Sequence, residues 1–101
     1  MSALERISDA SLLVLTSLTE GPKHGYAIMT DIESFAAVKL GPGTLYGTIQ
    51  RLEERGLIEP VPTADRRQPY RLTATGLRYA EEQLRWMDSV TRRGLERLEA
   101  L

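Results

Sequence analysis

Apolar positions divide this chain into three helical stretches, a short extended pair and a long helical tail. Leu12, Leu13, Leu15 and Leu18 recur on a helical period, and Asp9 ahead of them suits an N-cap, so a first helix is expected to begin near Asp9. Glu20-Gly21-Pro22 ends it, because glycine suits a helix terminus and proline cannot continue a helix. A second helix opens around His24–Tyr26, with Ile28, Met29, Ile32, Phe35 and Ala36 on one stripe. Gly41-Pro42-Gly43 opens a third, where Pro42 fits the first helical position because its missing N–H is not needed there. In it Leu45, Ile49 and Leu52 face inward, and Gly56 closes the helix behind Arg51 and Arg55.

The pattern then changes. Leu57–Val61 is short and extended, with Pro60 and Pro62 marking an edge. Ala64–Gln68 is a polar turn, and Tyr70–Leu72 returns as a second strand. Such a hairpin needs helices to pack on. Thr73 caps a last helix in which Leu77, Ala80, Leu84, Met87, Thr91, Gly94, Leu98 and Leu101 follow a 3-4-3-4 spacing. Three short helices cannot cover a seam of that length, so it calls for a second chain. The expected fold is mainly α with a small β-hairpin: a winged helix-turn-helix over residues 1–73 and a long C-terminal dimerisation helix over residues 74–101.

Composition narrows the function. The chain has 101 residues and no cysteine, which excludes disulfides and thiolate metal sites and fits a reducing compartment. No apolar run nears the roughly 18–20 residues of a membrane helix, and no apolar core follows a basic start, so the reading is cytoplasmic. The single histidine, His24, has no second histidine or cysteine to share a metal, and is read as supporting a turn or helix start. No phosphate-cradling loop or converging carboxylate pair is evident, which leaves no basis for catalysis, a cofactor or a metal. Net charge is −1, yet Lys39–Tyr79 holds seven basic residues against four acidic ones. A basic middle between acidic ends suits one phosphate-facing surface.

In a winged helix the third helix enters the major groove and the hairpin reaches phosphates or the neighbouring minor groove. Thr44, Gly47, Thr48 and Arg51 fall opposite the buried stripe of that helix, with Tyr46 and Gln50 flanking. Thr44, Gln50 and Arg51 are the candidates for base or groove contacts, and Tyr46, Arg66 and Arg67 for phosphates. Gly47 would let the backbone approach the duplex closely. A polar helix face is more often simply solvated, and the near-neutral charge leaves a second reading open: a winged helix that binds protein and not DNA. The order of the features along the chain favours double-stranded DNA.

Four ordered segments carry a family resemblance: Gly21-Pro22-Lys23-His24-Gly25-Tyr26; Gly41-Pro42-Gly43-Thr44-Leu45-Tyr46; Arg51-Leu52-Glu53-Glu54-Arg55-Gly56-Leu57-Ile58; and Tyr70-Arg71-Leu72-Thr73 with Gly76. The chain resembles the PadR family of transcriptional regulators, in the shorter subgroup with a single C-terminal dimerisation helix. The resemblance implies a homodimer, usually a repressor, on a roughly palindromic operator, with effector release near the dimer interface in some members. Leu77, Leu84, Met87, Leu98 and Leu101 are the expected interface. Trp86, beside Met87, stands near an aromatic that helps form a drug pocket in some members, so both are candidate contacts for a small aromatic effector. Gly41 replaces a frequent serine cap and Gly47 a frequent proline. The wing is short and lacks a glycine- and lysine-rich tip, which weakens the case for wing contacts more than for helix contacts.

Overall fold

A computed structural model describes the backbone of residues 3–101 and the side chains of residues 10–101. The order is α1 (Ala3–Leu18), β1 (Lys23–His24), α2 (Gly25–Ala36), α3 (Pro42–Glu54), β2 (Ile58–Pro60), β3 (Pro69–Leu72) and α4 (Ala74–Glu99). This is the mainly helical winged arrangement expected, with two corrections at its start. Asp9 lies inside α1 and not at its cap, because Ala3, Leu4, Glu5 and Arg6 favour helix and no breaker follows them. The sheet has three strands in the order β1-β3-β2, all antiparallel. Lys23 pairs with Tyr70 and His24 with Pro69 on one side of β3, while Ile58, Glu59 and Pro60 pair with Leu72, Arg71 and Tyr70 on the other.

Val14, Leu15, Leu18, Ile28, Ile32, Leu45, Ile49, Leu52, Leu57, Ile58 and Ala80 form the core, drawn from all four helices and the start of the hairpin. Phe35 departs from its expected place: it is 46% exposed in the last turn of α2, while Ile28 and Ile32 hold that helix to the core. A polar cluster ties the same region together. Ser17, buried near the end of α1, donates to Asp31 Oδ2 at 2.7 Å. Lys23 Nζ donates to the Ser17 carbonyl and pairs with Glu20 at 2.9 Å and Asp31 at 3.4 Å. The buried hydroxyl and the half-buried ammonium are thereby satisfied within the protein, which removes most of the desolvation cost of placing them there.

The chain turns as its punctuation dictates. Gly21, with φ +139°, takes a conformation that L side chains rarely adopt and redirects the chain after α1. At the end of α3, Gly56 N–H reaches Glu53 O at 2.9 Å and Leu57 N–H reaches Leu52 O at 3.0 Å. With Gly56 at φ +75°, this is a Schellman ending. Thr73 then sets α4 against the hairpin. Its hydroxyl accepts from Gly76 N–H at 2.9 Å and donates to Gly56 O at 2.7 Å, and its own N–H donates to Leu57 O at 3.1 Å. A Cβ at Gly76 would overlap the Leu57 carbonyl, so this approach requires glycine.

Ala80 is the last core residue on α4. With 26 residues, the helix is about 39 Å long at ~1.5 Å per residue. It gives the described part its elongated extents of 57 × 27 × 23 Å. No helix among the described residues is long and apolar enough to cross a membrane.

Candidate nucleic-acid interface

Pro42 opens α3 with Gly41 as a cap that makes no side-chain bond, and the Gly41 carbonyl accepts from Leu45 N–H at 2.9 Å. Leu45, Ile49 and Leu52 are buried, so the other side of the helix is fixed outward: Thr44, Tyr46, Gln50 and Arg51 are exposed and Gly47 is half-buried. Thr48 corrects the sequence reading. It is fully buried, its hydroxyl donating to Thr44 O at 2.7 Å and accepting from Arg51 Nη2 at 3.2 Å. Thr48 stands three residues after Leu45 and four before Leu52, which places it on the inward face. It steadies the guanidinium of Arg51 from beneath. A Cβ at Gly47 would lie 3.4 Å from Arg51 Nη1, about van der Waals contact with the end of a flexible side chain.

Tyr46 points away from this group toward α2. Its ring lies where a Cβ of Gly25 would be, so the phenol and the start of α2 fit together only because residue 25 is glycine. Between them and the wing is an open cleft of about 400 Å³, lined by His24, Gly25, Tyr26, Tyr46, Arg66, Arg67, Gln68 and Tyr70. The fold thus brings Tyr46, Arg66 and Arg67 together across residues far apart in sequence. Thr44, Gly47, Gln50 and Arg51 lie along α3 outside that cleft. The short wing is held at its root, where Gln68 Nε2 donates to Val61 O at 2.9 Å and to Pro69 O at 2.8 Å. Burial pushes the Tyr70 phenol above its ordinary value, with Glu53 and then Tyr46 adding to the effect. It stays protonated at neutral pH.

The arginines divide by role. Arg71 pairs with Glu59 across the hairpin at 2.9 Å, and Arg55 lies 5.1 Å from the centre of the Tyr79 ring. Both are engaged in holding the fold. None of the ion pairs among the described residues involves Arg51, Arg66 or Arg67. Their charge remains available to a partner. No group of three or more histidines and carboxylates among the described residues could hold a metal.

Five residues of the cleft, His24, Gly25, Tyr26, Gln68 and Tyr70, were not in the sequence reading of the interface. Tyr26 is exposed beside the cleft. His24 does start a helix, as expected, with Nδ1 accepting from Ala27 N–H at 3.3 Å, but its Nε2 also lies 3.5 Å from Arg67 Nη1. The signal was present in the block Gly21–Tyr26, whose turn was legible while its approach to the wing was not. At the other end of the molecule Leu77, Leu84, Trp86, Met87, Val90, Leu95, Leu98 and Leu101 remain exposed along α4. A second cleft, at the junction of α1 and α4, is lined by Thr19, Leu77, Ala80, Glu81, Leu84 and Arg85, and not by Trp86 or Met87.

Comparison with known proteins places this architecture. The profile of the transcriptional regulator PadR-like family matches residues 14–82. Over 91 residues the chain is 41% identical to an uncharacterised 37.1 kDa protein in transposon TN4556 of Streptomyces fradiae. That alignment covers 90% of this chain and 26% of the other, so the chain spans about a quarter of that relative's length. Among solved structures, a transcriptional regulator from Clostridium thermocellum superposes with a TM-score of 0.78 at 24% identity, covering 96% of both chains. A PadR-like transcriptional regulator from Bacillus cereus gives 0.69 at 25% identity, covering 84% of this chain and 88% of that one. The chain belongs to the PadR-like family of transcriptional regulators, and is built as a winged helix-turn-helix with a long C-terminal helix.

Proposed function

We propose that the chain acts as a homodimer joined through α4, setting its two α3 helices into successive major grooves of a roughly palindromic operator and repressing transcription there. The observation that carries this reading is the outward face of α3, with Thr44, Gln50 and Arg51 exposed beside the cleft that gathers Tyr46, Arg66 and Arg67. The roles follow from chemistry. An amide and a guanidinium can each make paired hydrogen bonds to base edges, and Thr44 is a short donor or acceptor near the helix start. Tyr46 and the two wing arginines suit phosphates, which fix register without reading sequence. Gly47 leaves the backbone unobstructed at the centre of the face.

Dimerisation is the second element of the proposal. The seam of Leu77, Leu84, Met87, Leu98 and Leu101 is exposed in the single chain, and burying it against a copy of itself supplies the apolar contact that it lacks. A small aromatic effector would sit against Trp86 and Met87 where the two α4 helices meet. The chain has one tryptophan, so such a ligand should both quench its fluorescence and weaken DNA binding. A ligand that does neither removes those residues from the effector site.

Base reading is tested by Gln50→Ala and Arg51→Ala against a set of single-base operator variants. Each should lose on the order of 1–3 kcal/mol of discrimination at particular base pairs. A loss equal across all sequences would reassign both residues to positioning.

A further inference from the structure

The contacts of His24 assign its two ring nitrogens to different tasks. Nδ1 accepts the hydrogen bond of Ala27 N–H at 3.3 Å, which uses its lone pair to cap α2. In the neutral ring the proton must then sit on Nε2. Nε2 faces Arg67 Nη1 at 3.5 Å, and a guanidinium has donors only. The two groups therefore cannot satisfy each other. They present a pair of donors side by side, lining the cleft that also holds Tyr46 and Arg66. An acceptor placed between them answers both.

We infer that His24 is a DNA-contacting residue: its Nε2–H and the Arg67 guanidinium together grip one backbone phosphate oxygen, while Nδ1 keeps α2 in place. This rests on the DNA-binding reading above and adds a residue and a geometry to it. The wing is thereby coupled to the start of α2, so a short hairpin without a basic tip still has a fixed partner for its arginine. The imidazole contributes a directed hydrogen bond and the guanidinium the charge.

Three measurements test it. The chain has one histidine, so the imidazole resonances of the ¹⁵N-labelled protein are unambiguous in mildly alkaline buffer. The free protein should show a proton-bearing Nε2 and a bare Nδ1, and the opposite tautomer overturns the inference. Binding is then compared for wild type, His24→Asn, Arg67→Ala and the double variant on a short random-sequence duplex. Asparagine can still cap α2, so His24→Asn should melt with the wild type yet bind about tenfold more weakly, as expected on losing one hydrogen bond to a charged group. Its log–log salt dependence should be unchanged, because no charge is removed, whereas Arg67→Ala should flatten it by about one unit. Because both groups hold one phosphate, the double variant should lose less than the product of the single losses. Replacing duplex phosphates one at a time with methylphosphonate should weaken the wild type most at one position, each single variant less there, and the double variant not at all. Wild-type affinity in His24→Asn, or fully multiplicative losses, would overturn the shared grip while leaving DNA binding intact. A wild type that binds no duplex defeats the DNA reading, and this inference with it.

Discussion

Thr48 shows how one buried hydroxyl can serve both stability and recognition. It closes back onto Thr44 O inside the helix and receives Arg51 on its other side, so a residue hidden from any partner sets the direction of one proposed to meet DNA. Thr48→Val keeps the volume and removes both bonds. Stability should fall by about 1 kcal/mol, the usual worth of a hydrogen bond. Operator discrimination should fall at the base pairs lost in Arg51→Ala, and a variant that discriminates like the wild type would show that Arg51 needs no support. Ala37 offers the opposite case, as an alanine at φ +56° where helix ends usually carry glycine. Ala37→Gly relieves left-handed strain and should raise the unfolding free energy by roughly 0.5–1 kcal/mol, the strain relieved less the extra freedom of the unfolded chain. No gain in a urea titration would mean that the surrounding loop already absorbs the strain. The two positions differed in how far the sequence showed them. Spacing from Leu45 and Leu52 should have placed Thr48 inward, but its polarity drew it to the outer face. Ala37 carries no residue-type signal at all.

At the scale of elements, legibility followed punctuation. The start of α3 at Gly41-Pro42-Gly43 and its Schellman ending at Gly56 were readable because proline and glycine mark termini by mechanism. The start of α1 was placed too late, since Asp9 is a plausible cap but the helix-favouring residues ahead of it carry the helix back to Ala3. Strand β1 escaped notice because two residues show no alternation, and its pairing partner lies far along the chain in β3. The cleft was invisible for the same reason, being assembled from α2, α3 and the wing. Thr73 joins the legible and the illegible, readable as a cap for α4 yet also bonded to the turn that ends α3. Thr73→Ala should cost about 1–2 kcal/mol from the cap alone. That loss should lower Tm by about 4–8 °C for each kcal/mol, with Thr73→Ser recovering most of it. An unaltered melting curve would show that the backbone bond from Thr73 N–H to Leu57 O suffices to seat the helix.

At the scale of the whole molecule, the two ends have complementary needs. The winged end presents Arg51, Arg66 and Arg67, which none of the ion pairs among the described residues involves, and α4 presents an uncovered apolar stripe beyond Ala80. One copy offers one short helix to a duplex, whereas two copies joined along α4 offer two at a fixed separation. Leu84→Asp combined with Leu98→Asp puts charge into the seam at two levels, so sedimentation should show a monomer and operator affinity should collapse. A double variant that still sediments as a dimer would place the interface elsewhere.

The most direct test of that geometry is selection of bound fragments from a random-sequence DNA pool, carried out at two salt concentrations. Two linked readers should enrich an inverted repeat whose half-sites lie about one helical turn apart, some ~10–10.5 base pairs centre to centre, or a multiple of that spacing. Enrichment should be sharper at the higher salt, where phosphate contacts contribute less. Recovery of a lone half-site, or of no sequence above the starting pool, would contradict the dimer that reads two grooves.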